Sequence, residues 1–195
     1  MKYGYNLTGI PKDQMKIGYI TTALKGTKTD FNQKLKSTIR GEGYPIDEID
    51  IEEKNKEELK NFFKDKNIIY IEGGNTFYLL KAIKETGFDK ILKELLSEGK
   101  IYIGVSAGAY IMRPTIEVSN WKDKTTDRWS VTDFSALNYV SFVLKVHYTD
   151  EQEIEVKEKM KNLKFPLRVL RDGQGILVEN DKNIFCGDGK EVILS

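Results

Sequence analysis

Two short runs constrain the fold more than anything else in the chain. Asn67 to Glu72 (NIIYIE) and Ile101 to Val105 (IYIGV) are almost without polar interruption. A strand that is apolar on both faces belongs in a parallel sheet covered on both sides. Stretches with helical spacing lie between and around these runs. Asp30 to Glu42 sets Phe31, Leu35 and Ile39 at four-residue intervals behind Asp30, a candidate N-cap. Lys56 to Lys64 carries Leu59, Phe62 and Phe63, and Asn75 to Thr86 carries Phe77, Leu80 and Ile83. Phe88 to Glu98 carries Ile91, Leu92, Leu95 and Leu96. Lys16 to Leu24 and Ile46 to Ile51 read as further strands, and a helix starts near Ala107. The order β-α-β-α-β-α-α-β-α predicts a three-layer α/β fold, a mostly parallel sheet with helices on both faces.

The texture changes after Arg113-Pro114. Residues 115–137 are polar, contain Trp121 and Trp129, and read as a long loop, a kind of segment that is often functional. Beyond it come a strand at Tyr139 to Val146, a charged helix at Glu151 to Asn162 and a short strand at Leu167 to Leu170. Gly175 to Glu179 and Asn183 to Gly187 flank Asn180-Asp181-Lys182 as a hairpin, and Val192 to Leu194 reads as a last strand. No repeat or linker interrupts the 195 residues, so a single domain over 1–195 is expected.

Composition excludes several function classes. Lys plus Arg is 31 against 30 for Asp plus Glu, a net charge of +1, which leaves no basic footprint for nucleic acid. The single cysteine, Cys186, forbids an intramolecular disulfide, and one Cys with one His argues against a closed zinc site. No apolar run approaches the ~20 residues of a membrane span. Met1 to Asn6 has no signal-peptide pattern, so the expected location is cytoplasmic. No metal or organic cofactor is implied. Neither nucleic acid nor membrane is expected as a partner, and a homo-oligomer is left open.

The stretch that carries chemistry is Gly104-Val105-Ser106-Ala107-Gly108. It is a G-x-S-x-G sequence between a buried strand and a helix start, the context of a nucleophile elbow. Small neighbours allow the tight turn that presents the serine oxygen above the carboxyl ends of the strands. The Ala107 N–H is a natural oxyanion donor, and a helix behind it would add its positive dipole end. A second glycine-rich corner, Glu72-Gly73-Gly74-Asn75-Thr76, also falls between strand and helix. Gly73 or Gly74 is a candidate for the other oxyanion donor, and Gly73 and Asn75 for substrate contact. The plainer alternative is a tight turn capped by Asn75 or Thr76.

A serine nucleophile needs a base, and the chain has one histidine, His147, at the end of an apolar strand. The carboxylate that would orient it is open. Asp172 follows a strand and precedes Gly173; Asp133 and Asp127 lie in the long loop, and Glu179 near the hairpin. A strand-end carboxylate is better held than a loop one, which favours Asp172 with Asp133 as the alternative.

Together these segments resemble the peptidase E family, the aspartyl-dipeptidase-like serine peptidases related to cyanophycinase. Gly73-Gly74-Asn75-Thr76-Phe77 with Leu79-Leu80 resembles its GGNTF-x-LL stretch, and Tyr102-Ile103-Gly104-Val105-Ser106-Ala107-Gly108-Ala109 its YIG-x-SAGA elbow. Phe134 to Asn138 resembles F-D-A-L-N, Val146-His147-Tyr148 its P-H-F/Y, and Leu170-Arg171-Asp172-Gly173 its L-x-E-G. The resemblance implies a class I glutamine amidotransferase-like (flavodoxin-like) fold, Ser106 as nucleophile, His147 as base and a small peptide as substrate. Asp-initiated substrates would need a cation, for which Arg113 and Arg128 are candidates. The chain departs from the pattern in four places. Val146 replaces a proline, and Asp172 stands for a glutamate. A loop aspartate of the family falls near Ser130, and Met1 to Leu7 barely reads as the family's opening strand, so that first strand is expected to be missing or degenerate. The expected function is a serine-type dipeptidase; the rivals are an esterase on the same elbow and an inactive peptide-binding homologue.

Overall fold

The computed structural model describes residues 9–25, 30–121, 128–180 and 182–194, with the side chains of 30–32 excepted. They form two compact units, one of residues 9–109 with 128–132 and one of residues 110–121 with 133–194.

The first unit is built on four parallel strands, β1 (Ile17–Ile20), β2 (Ile46–Ile49), β3 (Ile68–Ile71) and β4 (Ile101–Gly104), in the order β2-β1-β3-β4. The register pairs Ile17 with Ile68 and Tyr19 with Tyr70, so the two tyrosine rings stack at 4.7 Å. That row packs with Leu35 and Ile39 of α1 (Asp30–Gly41). The other face is covered by α2 (Lys56–Phe63), which approaches so closely that a Cβ on Gly18 would lie 2.5 Å from the Phe63 ring. Helices therefore cover both faces, as the doubly apolar strands require. α3 (Thr76–Thr86) and α4 (Phe88–Ser97) meet at Gly87, whose left-handed backbone ends the first helix and lets the second begin.

The strands are shorter than the apolar runs suggest. The Lys16 to Leu24 run leaves the sheet after Ile20 and closes a 3-10 turn at Thr22–Leu24, where the Thr22 hydroxyl donates to Asp50 and accepts from the Ile51 N–H. The expected N-cap Asp30 and its neighbour Phe31 have side chains outside the described residues, as does Met1 to Leu7, where the degenerate first strand was expected.

The helix expected from Ala107 is a single turn, α5 (Ala107–Tyr110). The carbonyls at its end and just beyond are taken by donors other than the N–H groups of a next turn. The Tyr110 carbonyl accepts from the Arg113 side chain, that of Ile111 from the Leu137 N–H, and that of Met112 from the N–H groups of Tyr139 and Val140. A four-residue helix has little macrodipole, so that part of the expected anion stabilisation is withdrawn.

In the second unit, residues 115–121 and 133–137 of the expected loop hold a 3-10 turn at Glu117–Trp121 and a bridge between Thr115 and Ser135, while residues 122–127 of that loop lie outside the described residues. The predicted strand at Tyr139 contracts to β5 (Val143–Lys145), which pairs in parallel with β6 (Leu167–Val169). Between them, α6 (Glu153–Met160) follows a 3-10 turn at Asp150–Gln152. The hairpin forms as β7 (Gly175–Glu179) and β8 (Lys182–Cys186), with Lys182 already paired to Glu179 and not in the turn. Val192 makes one bridge to Val169 in place of the expected last strand. Among the described residues no helix is long and apolar enough to cross a membrane.

Candidate active site

Each half of the candidate machinery sits at the carboxyl end of parallel strands, where open α/β sheets bind ligands. In the first unit the β3–β4 ladder runs one step past the strands, with the Val105 N–H donating to the Ile71 carbonyl at 2.9 Å. The chain then turns sharply. Ser106 takes a left-handed φ of 49°, a conformation that costs a non-glycine residue ~1–3 kcal/mol and gathers at functional sites. The Gly108 N–H closes the turn on the Val105 carbonyl at 2.9 Å, and the Tyr102 hydroxyl donates to the Gly108 carbonyl at 2.6 Å.

The glycines of the motif are there for space. A Cβ on Gly104 would lie 2.6 Å from the Gly108 carbonyl carbon, and one on Gly108 would lie 2.3 Å from the Ile71 carbonyl oxygen. The glycine corner after β3 meets the serine directly, since a Cβ on Gly73 would stand 3.1 Å from Ser106 Cβ. Gly74 instead points its side-chain position at Ala23. Its φ is 152°, and a Cβ there would fall 2.0 Å from the Ala23 carbonyl oxygen. Asn75 is the N-cap of α3: its Oδ1 accepts from the Tyr78 N–H at 3.0 Å and its own N–H donates to Ala23 at 2.7 Å.

The second unit holds His147 and Asp172 together. The β5–β6 register pairs Lys145 with Val169, and the Tyr148 N–H donates to the Leu170 carbonyl, so both chains leave the ladder at the same end. There His147 Nδ1 lies 2.5 Å from Asp172 Oδ1. Both side chains are open to solvent, His147 at 43% and Asp172 at 83%. His147 also has a left-handed φ, 56°. The residue before it shows why a valine is accommodated where the family has proline: the Val146 N–H donates to the Tyr110 hydroxyl at 3.1 Å. Asp133 is engaged locally, its Oδ1 accepting from the Ser135 N–H at 2.9 Å. Asp127 lies outside the described residues, and Glu179 is exposed beside the hairpin turn.

The two arginines part company. Arg113 is fully buried at 0% exposure and donates to the carbonyls of Tyr110 and Leu144 and to the Ser119 hydroxyl, its guanidinium 3.9 Å over the Tyr110 ring. Burial pushes its pKa down to about 10. The expectation that Arg113 meets a substrate carboxylate is therefore corrected: its donors brace the β5 region instead. Arg128 is exposed in the first unit, and its neighbour Trp129 packs on Tyr78 in the first turn of α3, ring centroids 4.7 Å apart.

Sequence reasoning passed over Glu72. It ends an apolar run, where a charged residue normally marks the exit to solvent, yet it is fully buried and accepts a hydrogen bond from the Tyr19 hydroxyl at 2.7 Å. Nothing in one sequence distinguishes it from an exposed strand-end glutamate. Among the described residues no cluster of His, Cys, Asp and Glu is arranged to hold a metal ion.

A parallel α/β fold with a serine on a braced strand-to-helix turn belongs with the hydrolytic enzymes that carry their nucleophile there. Similarity to known proteins narrows that class. The family model described as Peptidase family S51 matches residues 6–186. An uncharacterised peptidase of Pasteurella multocida is 33% identical over 89% of this chain and 86% of its own length. An uncharacterised peptidase of Listeria monocytogenes is 36% identical over 81% of this chain and 74% of its own. A solved structure of a Listeria monocytogenes EGD-e protein described as a peptidase E superposes with a TM-score of 0.80 at 28% identity, covering 94% of this chain and 92% of that one. The chain belongs to peptidase family S51, the peptidase E family of serine peptidases.

Proposed function

We propose that this peptidase is a dipeptidase that cleaves short peptides through an acyl-enzyme on Ser106. The observation that carries the reading is the serine turn itself, a left-handed Ser106 braced by Gly104, Gly108 and Gly73 at the carboxyl ends of β3 and β4. Ser106 Oγ attacks the scissile carbonyl carbon and its proton passes to His147. The Nδ1 of His147 is engaged by Asp172, so Nε2 is the nitrogen left to act as base. The N–H groups of Ala107 and Gly74 receive the oxyanion. Collapse of the tetrahedral intermediate breaks the C–N bond, and His147 returns its proton to the leaving amine. Water, deprotonated by the same imidazole, then releases the acid and restores Ser106.

Family membership and an exposed arginine support Asp-initiated peptides as the substrate class. With Arg113 enclosed, exposed Arg128 is the cation proposed to receive the side chain of an N-terminal aspartate. The test is steady-state hydrolysis of Asp-Leu and Asp-p-nitroanilide beside Leu, Lys and Glu analogues, with Ser106→Ala as blank. Activity confined to the Asp substrates, reduced about 10⁴-fold or more in the blank, is expected. Equal rates across the panel would remove the Asp pocket and Arg128 with it. A blank as active as the wild type would remove the acyl-enzyme.

A further inference from the structure

The fully buried carboxylate of Glu72 has no part in the mechanism above, and an apolar residue would fill its place at lower cost, since taking a polar acceptor out of water is expensive even when it is hydrogen-bonded. Its location suggests what it is kept for. Glu72 continues the row Ile68–Tyr70 on the α1 face of β3, its N–H still bonded to the Ile20 carbonyl of β1. Its Oε2 accepts from the Tyr19 hydroxyl at 2.7 Å, and Tyr19 is itself fully buried and stacked on Tyr70. Burial, and after it this hydrogen bond to Glu72, holds the Tyr19 hydroxyl protonated far above its ordinary range, so the donor is fixed. The next residue is Gly73, against Ser106, and the one after is Gly74, clasped on Ala23 just beyond β1. The Glu72–Tyr19 bond thus ties the last residue of the β3 run to β1 one position before the backbone bends to the serine.

We infer that Glu72, through Tyr19, is a positioning residue that sets the Gly73–Gly74 corner against Ser106 and so fixes the oxyanion donor of that corner. The inference rests on the proposed role of Ser106. An oxyanion donor acts only where charge develops, so misplacing it lowers kcat and leaves substrate affinity nearly alone.

The experiment compares Glu72→Gln, Glu72→Ala and Tyr19→Phe for kcat, KM, melting temperature and inhibition by a peptide aldehyde, whose hemiacetal mimics the oxyanion. Gln keeps an acceptor for Tyr19 and is expected to stay within about threefold of wild type. Tyr19→Phe removes the donor and little volume, and is expected to lower kcat about 10-fold or more, with KM within twofold and aldehyde affinity weakened in proportion to kcat. Glu72→Ala should do the same if it folds, and Tyr19→Phe decides the matter if it does not. Wild-type kcat in Tyr19→Phe, or a melting temperature that falls while kcat and aldehyde affinity stay put, would overturn the inference and leave Glu72 a structural residue. The base reading fails separately, by a Ser106→Ala protein that retains activity.

Discussion

The serine turn and the His147–Asp172 pair are built by opposite means. The turn is a backbone construction: its shape is set where glycines let main chain touch main chain, with Gly108 on Ile71 and Gly74 on Ala23. The pair is a side-chain construction at the solvent-exposed end of a short two-stranded ladder, and one 2.5 Å hydrogen bond defines it. Backbone constructions demand particular residue types, because a single Cβ destroys them. Side-chain constructions demand only a register and a partner of the right charge.

The largest expected effect tests whether the exposed pair is functional at all. Asp172→Asn keeps the size of the side chain and removes the charge that fixes the imidazole tautomer. It is expected to lower kcat/KM about 10²–10⁴-fold with an unchanged melting temperature. Asp133→Asn keeps the Oδ1 that accepts from the Ser135 N–H, and it is expected to stay within about twofold of wild type. Steady-state kinetics on the two variants side by side measures the difference. The reverse ranking would hand the orienting role to the loop acid and leave the observed His147–Asp172 bond a surface contact.

The same contrast explains how much of this molecule was legible in its sequence. The alternation of doubly apolar strands with helical stretches gave the layered parallel sheet, because burial on both faces leaves no room for polar residues in β1 and β3. The serine turn was legible for a related reason: G-x-S-x-G writes its steric demands into residue identity. The strand-end position favoured Asp172 over Asp133, but the contact of Asp172 with His147 was not legible, since it turns on the parallel register of Lys145 with Val169, which no local pattern encodes. Arg113 misled because a cation beside a motif reads as a ligand-binding group, while its burial depends on carbonyls contributed from Tyr110 and Leu144. The helix after Ser106 is shorter than expected because helical propensity cannot anticipate that the carbonyls of Ile111 to Arg113, just past its end, are claimed by residues 137–140.

A middling effect separates glycines kept for space from glycines kept for conformation. Gly108→Ala drives a methyl into the Ile71 carbonyl, backbone against backbone, and is expected to cost ~3 kcal/mol or more, a fall of roughly 6–12 °C in melting temperature. Gly173, beside Asp172, has a left-handed φ of 84° but open space around the missing Cβ. Gly173→Ala therefore carries only the conformational penalty of ~1–2 kcal/mol. Thermal denaturation of both variants checks the order. Equal losses would mean that the turn around Ser106 yields as easily as the exposed loop, and the contrast between the two regions would fail.

The smallest effect asks whether Asn75 does more than cap a helix. Asn55 is its internal control in the same unit. Its side chain accepts from the N–H groups of Glu57 and Glu58, and the Glu58 carboxylate returns the bond, forming a capping box far from Ser106 in sequence. Replacing either asparagine by alanine is expected to cost about 1 kcal/mol, or ~2–4 °C. The two should differ in activity. Asn75 fixes the first turn of α3 immediately after the glycine corner, so Asn75→Ala is expected to lose about tenfold in kcat/KM while Asn55→Ala loses none. A rise in KM alone would mark Asn75 as a substrate contact, and a fall in kcat alone would mark it as support for the corner. Wild-type kinetics in Asn75→Ala would reduce it to the same structural role as Asn55, leaving the glycines by themselves to hold the corner in place.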